Sequence, residues 1–472
     1  EPEAALASSR DLVGWVRRER RPAVLHLRTV RYLSHAGADV EAAYRTPREI
    51  RDEYARDPIL GTGRWLARTG ATTGERLAAD YEAAAERVRE VAARAAARPR
   101  LESAAEVMQP LAPRSPARVA AAAGEQPWQT HEPLTLAQAI NAALADVLAS
   151  HRDTLVFGED VAVKGGVYGV TRGLIGHFGA ARVFDTLLDE TSILGFALGA
   201  ALAGFVPIPE IQYLAYLHNA EDQLRGEAAT LSFFSQGRYR NGLVLRIEGY
   251  GYQKGFGGHF HNDNAVGVLR DVPGLVVASP ARPDDAAAML RTCVAAARVD
   301  GSVCVFLEPI ALYHERDLYE QDDGLWLAAL DPAHVPIGSA RTHLDGDDLT
   351  LVTWANGLRL SLRVARRLAA RGIGVRVVDL RWLAPLPVED LLREARATGC
   401  VLVVDETRRT GGVSEGVLAA LVDGGFEGRL ARVASEDSFI PLGDAARLVL
   451  LDEDEIEAAA VRLVGQPFGV LR

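Results

Sequence analysis

The sequence predicts an α/β protein, with two successive and mostly parallel sheets covered by helices and a mostly helical segment in front of them. Three observations carry that prediction. From Leu134 onward, short apolar runs such as Leu155–Phe157, Leu243–Ile247 and Val303–Leu307 alternate with helix-length segments. The alternation pauses at the irregular stretch Glu315–Pro336 and restarts at Leu349. Before residue 100 it is absent, and Ala, Glu and Arg dominate instead. The stretch Glu102–Glu132, with Pro110, Pro113, Pro116 and Pro127 among Ala and Arg, reads as a linker. The expected divisions are therefore residues 1–100, a linker over 101–132, one α/β domain over 133–325 and a smaller one over 336–472.

Taken in order, Asp11–Arg21 is a charged helix, and Pro22–Tyr32 alternates apolar residues as a strand does. His35–Tyr44 has no apolar period and reads as a loop, while Thr46-Pro47 followed by Glu49 marks a helix start. Thr73–Ala97 is one long helix. After a helix ending at Ser150 and a strand at Leu155–Phe157 comes an uncharged run, Thr191–Pro209. A membrane span would need about 20 apolar residues. Gly195, Gly199, Gly204, Pro207 and Pro209 instead suit a closely packed helix that stops and passes into a strand at Ile208–Tyr213. Glu190 stands at the mouth of that helix. Lost solvation there raises a carboxylate's pKa and fits it for sharing a proton with a bound base, whereas the helix dipole favours an acid at any helix start; both readings stay open on physics alone. A helix over Asn219–Gln236, the strand Leu243–Ile247, the helix Asp284–Ala297 and the strand Val303–Leu307 complete the first sheet. The second alternates Leu349–Trp354, Gly357–Arg371, Val375–Asp379, Val388–Thr398, Val401–Asp405 and a helix after Gly412.

The 472 residues, 48% hydrophobic and 24% charged, suit a globular chain of about three domains. A formal net charge of -11 excludes a general nucleic-acid binder, since no basic excess exists to displace phosphate counterions. Arg17–Arg21 reads as a solvated helix face. Cys293, Cys304 and Cys400 lack metal spacing and read as reduced, buried thiols of a cytoplasmic protein. The chain opens EPEAALASSR, without a starting Met or an apolar secretory segment.

The motifs GEDVAVKGGVYGVTRGL (158–174), RVFDTLLDE (182–190), EIQYLAY (210–216), DVPGLVVASP (271–280) and FLEPIALY (306–313) stand in order. In that register they resemble the beta subunit of the thiamin-diphosphate-dependent dehydrogenase component of 2-oxo acid dehydrogenase complexes. The resemblance runs from about Leu134 to the C-terminus. His35, Tyr44-Arg45 and Asp57-Pro58-Ile59 resemble the last part of that family's alpha subunit, which suggests a fused alpha-beta chain lacking most of its alpha part. The implied fold is a transketolase-like pyrimidine-binding domain and a transketolase C-terminal domain behind an alpha-subunit remnant.

The resemblance implies that Glu190 is catalytic, hydrogen-bonding the aminopyrimidine ring of thiamin diphosphate and promoting its imino tautomer. Tyr216 would pack on that ring, with Tyr213 able to exchange roles if the register slips, and Gln212 is the neighbouring polar candidate, or else a satisfied strand amide. Counting back from Pro273 puts His261 on the family's active-site histidine, which binds the substrate carboxylate or donates a proton to the lipoyl sulfur. His259 and His261 alone lack a third ligand for a metal. Here the common His-Ser-Gln-Ser pattern is replaced by His261-Asn262-Asp263-Asn264. His35 would anchor the cofactor and admit the lipoyl group. The family's Gly-Asp-Gly and Asn motif for magnesium and diphosphate has no counterpart: Gly346-Asp347-Asp348 with Asn356 is too late and too close, and reads as a turn. Magnesium and the diphosphate therefore call for an alpha-type domain, from a preceding segment or another chain. The further implied partner is a lipoylated acyltransferase, within a homodimer or heterotetramer-like assembly.

The expected activity is decarboxylation of a 2-oxo acid with acyl transfer to a lipoyl group. GEDVAVKGGVY, EIQYLAY and Thr410-Gly411-Gly412 lean toward branched-chain substrates, and pyruvate is the alternative. A transketolase-like or deoxyxylulose-synthase-like enzyme and a non-catalytic assembly subunit are the rival classes.

Overall fold

A computed structural model describes residues 2–31, 34–111, 113–124, 132–253, 257–330 and 334–465. The chain divides into two compact units, Glu1–Glu102 and Ser103–Arg472.

The first unit is helical. Its opening helix, Pro2–Glu19, starts earlier than the charge pattern alone suggests. Pro47–Tyr54 begins at the expected capping box, with Thr46 Oγ1 accepting from the Glu49 amide and Glu49 reaching back to Thr46. Gly74–Ala96 is capped by Thr73. Residues 22–31 form no strand, and Val24 is almost fully exposed. An alternating segment becomes a strand only when another strand accepts its backbone hydrogen bonds, and none does so among the described residues; Tyr32 lies outside them.

In the second unit the strands are β1 Thr154–Gly158, β2 Val183–Asp185, β3 Val206–Ile211, β4 Leu243–Gly249, β5 Val276–Ala278, β6 Val303–Pro309, β7 Arg341–Asp345, β8 Leu349–Thr353, β9 Val375–Asp379, β10 Trp382–Ala384, β11 Cys400–Arg408 and β12 Arg429–Ser435. They form a seven-stranded sheet in the order β10-β5-β6-β4-β3-β1-β2 and a five-stranded sheet in the order β12-β11-β8-β9-β7. Only β10 and β7 run antiparallel to their neighbours. The strands β1, β3, β4, β5, β6 and β8 are buried along their whole length, as parallel strands covered on both faces require. Cys293, Cys304 and Cys400 are buried free thiols.

Two expectations need correction. The stretch 101–132 carries the helices Ala104–Met108 and Pro116–Gly124, and Val119 and Ala123, one helical turn apart, are buried against the helix Pro283–Asp300. An Ala-rich run supplies an apolar stripe that a solvated linker lacks; residues 125–131 lie outside the described ones. Second, the domain expected to be separate from residue 336 onward lends β10 to the first sheet, where Trp382 pairs with Ala278.

The seven-stranded sheet also holds a fully buried ionic layer. Arg246 on β4 contacts Glu210 on β3 at 2.5 Å and Glu308 on β6 through two bonds of 2.6 and 2.8 Å, and Tyr313 donates to Glu308. Burial, with Glu210 and Glu308 alongside, pushes the Glu248 carboxyl well above its usual range.

Candidate active site

The candidate residues of the larger unit follow the C-terminal ends of β2, β3 and β4, the side on which open parallel sheets bind ligands. At the end of β1, Gly158 lets the chain turn toward Glu159: a Cβ there would lie 2.7 Å from the Glu210 carbonyl oxygen. The loop that follows depends on Gly165, at φ +82°, where a Cβ would meet the Arg172 Cα at 2.6 Å.

Glu190 is the first residue of the helix Glu190–Leu202, with Asp189 as its cap. It is 7% exposed. Its Oε2 accepts from Asn219 Nδ2 at 3.2 Å, and Thr191 Oγ1 in turn donates to the Asn219 carbonyl at 2.7 Å. Among the described residues no hydrogen bond reaches Oε1. Glu159 stands near enough to feel this charge: burial, then Asp160, then Glu190 raise its pKa.

Tyr213 and Tyr216 differ in environment. Tyr213 is buried, its hydroxyl 3.2 Å from that of Tyr168 and its ring edge-on to His261 at 4.8 Å. Tyr216 is half-buried, 5.5 Å from the Tyr213 ring and 6.3 Å from His261. Burial and the charges of Glu159 and Glu190 raise the Tyr216 pKa. Gln212 Nε2 donates to the Glu159 carbonyl at 3.4 Å and approaches Asp160 Oδ2 at 3.5 Å, which ties β3 to the loop after β1.

His261 lies on the loop after β4, of which residues 254–256 lie outside the described ones. Its Nδ1 is 3.4 Å from the Gly257 carbonyl, and among the described residues no hydrogen bond reaches Nε2. The departure from the family pattern turns out to be anchored. Asn262 donates to Gly251, Asn264 donates to the Glu406 carbonyl at 2.9 Å, and Asp263 accepts from Arg408 at 2.9 Å.

Glu190, Gln212, Tyr216 and His261 thus share one unit, and His35 lies in the other. There the His35 amide donates to Asp39 Oδ2 at 2.8 Å, and Tyr44 donates to the same oxygen at 2.9 Å. These bonds, the backbone one first, hold the Asp39 carboxyl below its usual range. Sequence reasoning gave no role to Glu159 or Asn219. Glu159 was visible inside a quoted motif, but nothing in the spacing puts it beside Glu190.

Asp348 Oδ2 accepts from the Gly374 amide at 2.7 Å and Asn356 Nδ2 donates to Glu406 at 2.7 Å, so both are engaged in local structure. Asp285, His343 and Asp379 do bring ligand atoms within 4.8 Å of one another. Arg341 and Arg381 already pair with Asp285, at 2.8 and 3.0 Å. Burial and then Arg341 push His343 down to about 3, and burial and then Asp285 push Asp379 up to about 7. The cluster is a charge-balanced seam between the sheets. A cavity of about 880 Å³ near Tyr252, Asn356, Arg359 and Arg447 includes none of the candidate residues.

Comparison with known proteins agrees with this layout. Residues 132–314 match the family described as "Transketolase, pyrimidine binding domain", residues 338–456 "Transketolase, C-terminal domain", and residues 1–104 "Dehydrogenase E1 component". The fold is therefore transketolase-like. A split gene transketolase, described as an inactive beta4 tetramer, has the same fold, with a TM-score of 0.53 at 19% identity over 70% of this chain and 98% of that one. The pyruvate dehydrogenase E1 component subunit beta of Staphylococcus epidermidis is 35% identical over 331 residues, 68% of this chain and 96% of that protein. Its Staphylococcus aureus counterpart is 34% identical over the same shares. The chain belongs to the thiamin-diphosphate-dependent E1 family of 2-oxo acid dehydrogenases, and its larger unit is of the beta-subunit type.

Proposed function

We propose that this chain is the beta-type half, with the tail of the alpha-type half, of an enzyme that decarboxylates a 2-oxo acid and passes the acyl group to a lipoylated acyltransferase. The observation that carries the reading is Glu190: a buried carboxylate at a helix start, fixed through one oxygen by Asn219 and, among the described residues, without a donor at the other. These residues suit the aminopyrimidine half of thiamin diphosphate, with Oε1 free for a ring nitrogen and the half-exposed ring of Tyr216 for its flat face. When bound, the cofactor supplies the electron sink for loss of CO₂. Glu190 would hydrogen-bond a ring nitrogen and so favour one of the ring's tautomers. His261, through Nε2, binds the substrate carboxylate or donates a proton to the acceptor sulfur, and His35 orders its loop around the cofactor.

Magnesium and the diphosphate belong to an alpha-type domain. Leu187, Leu188, Phe196, Leu202 and Phe205 are all exposed close to Glu190 in sequence, and an apolar surface of this kind suits a docking partner. The working enzyme is then a cytoplasmic homodimer or heterotetramer-like assembly. No described helix is long and apolar enough to cross a membrane. The names of the relatives favour pyruvate over the branched-chain substrate to which the motifs lean.

The test is CO₂ release by the chain completed with an alpha-type partner, thiamin diphosphate and magnesium. Pyruvate and 3-methyl-2-oxobutanoate are compared as donors, and lipoamide and sugar phosphates as acceptors. Release from a 2-oxo acid with lipoamide reduction is expected, and turnover only with sugar phosphates would overturn the reading. In calorimetry, the chain without its partner should bind thiamin diphosphate and magnesium poorly.

A further inference from the structure

Among its described residues, the loop that carries His261 is held by charge at Asp263. Asp263 is buried, and its Oδ1 accepts from Arg408 at 2.9 Å and from the Asn264 amide at 2.8 Å. Its carbonyl accepts from the Tyr250 amide at 3.0 Å. Its other carboxylate oxygen faces His218 Nε2 at 3.6 Å, while His218 Nδ1 lies 3.3 Å from Glu221 Oε2. Arg408 is itself fixed, its Nε donating to the Ser438 carbonyl at 3.2 Å. His218 stands between Tyr216 and Asn219, the residue that donates to Glu190. Three elements therefore meet here: the segment Leu214–Asn219, the His261 loop and the end of β11. A neutral imidazole has one N–H and can serve one of the two acids, whereas an imidazolium donates to both.

We propose that His218, as the imidazolium, and Asp263 form a clamp anchored on Arg408 that positions the His261 loop against the segment carrying Tyr216 and Asn219. Both are positioning residues for acyl transfer. That step rests on the proposed function, and the clamp itself does not. The charged groups facing His218 are Glu221 beside it, Asp263 from the loop and, behind Asp263, Arg408 from the second sheet. The bond to Asp263, opposed by burial and helped by Glu221, raises the His218 pKa. The clamp is thus complete below the ordinary histidine value of about 6.5, and it opens as pH rises through the raised value.

His218→Gln and Asp263→Asn test this in two ways. In the completed enzyme, transfer to lipoamide should slow by about tenfold to a hundredfold, and by more than decarboxylation read with a dye acceptor. The alkaline limb of the transfer profile should vanish in His218→Gln. In the full chain, amide hydrogen exchange over 257–264 should quicken by about tenfold in both variants, with exchange in the helix Pro283–Asp300 unchanged as the sign that they fold. Unchanged loop exchange overturns the clamp, even if transfer slows, because His218 would then act by direct contact. If the parent enzyme releases no CO₂ from any 2-oxo acid, the functional reading fails and loop exchange alone decides the clamp.

Discussion

The two sheets of the larger unit are built alike, but the carboxylates near the end of β11 and those around the start of the helix Glu190–Leu202 are treated in opposite ways. In the five-stranded sheet Asp405 and Glu406 are saturated, although Asp379 at the end of β9 keeps one buried oxygen without a partner among the described residues. Asp405 accepts from the Thr407 amide, the Thr407 hydroxyl and the Ser414 amide, at 2.5 to 2.7 Å. Glu406 accepts from both nitrogens of Asn356, at 2.7 and 2.8 Å. Each acid sits at the start of a helix, Ala355–Ala369 or Val413–Asp423, and fills the place where an anionic ligand would bind. In the seven-stranded sheet, Glu190 has one protein donor among the described residues, and Glu159 lies beside it with its pKa raised. Acids whose bonds are met within the fold serve as structure, and an acid with an open oxygen has room for chemistry.

The sharpest way to break this contrast is Glu190→Gln. It should leave the fold intact and cost about 10²- to 10⁴-fold in decarboxylation by the completed enzyme, and unchanged turnover would remove Glu190 from the chemistry. Next comes Arg246→Met, which strands Glu210 and Glu308 in the core. A loss of about 3 to 5 kcal/mol in urea unfolding at neutral pH is expected, and a loss below 1 kcal/mol would show the ionic layer to be dispensable.

Glu406→Gln probes the saturated end. Burial pushes the Glu406 carboxyl up to about 8, despite the Asn356 bonds. An acid whose pKa is raised on folding holds its proton more tightly in the native state. Stability is therefore lost as pH climbs from the unfolded value of about 4.3 toward the folded one. The variant should flatten that decline between about pH 5 and 8 by a few kcal/mol, as read from urea melts at both ends of the range; an unaltered decline would mean that Glu406 is ionised throughout. The smallest effect is expected from Thr407→Val, which removes one bond to Asp405 and should lower stability by about 1 to 2 kcal/mol without altering kcat once the variant is folded.

Much of this architecture is visible in local pattern. The cap at Thr73, the box at Thr46 and Glu49, the helix opening at Glu190 and the apolar strands β4, β6, β8 and β9 follow from residues within a few positions of one another. Elements that need a distant partner did not show. Pro22–Tyr32 has the alternation of a strand and no ladder among the described residues, while β10 becomes a strand only because β5 offers its edge. The expected helix over 219–236 runs without interruption over 221–234, with the π-helical segment Gln223–Ala228 inside it, and the 3₁₀ turn Leu214–Asn219 stands in front of it. That turn places Asn219 against Glu190, a contact that no periodicity announces.

The sequence alone determined the α/β class, the order of the elements and the presence of an acid at the mouth of an uncharged helix. These depend on propensity, capping and hydrophobic period, which act over one or two helical turns. Tertiary structure decided which acids are quenched and which stay open, that Tyr213 is buried while Tyr216 keeps a half-exposed ring, and that Asp263 reaches Arg408 across 145 residues. Hydrogen-bond saturation and burial are properties of neighbours in space, and a linear order of residues does not contain them.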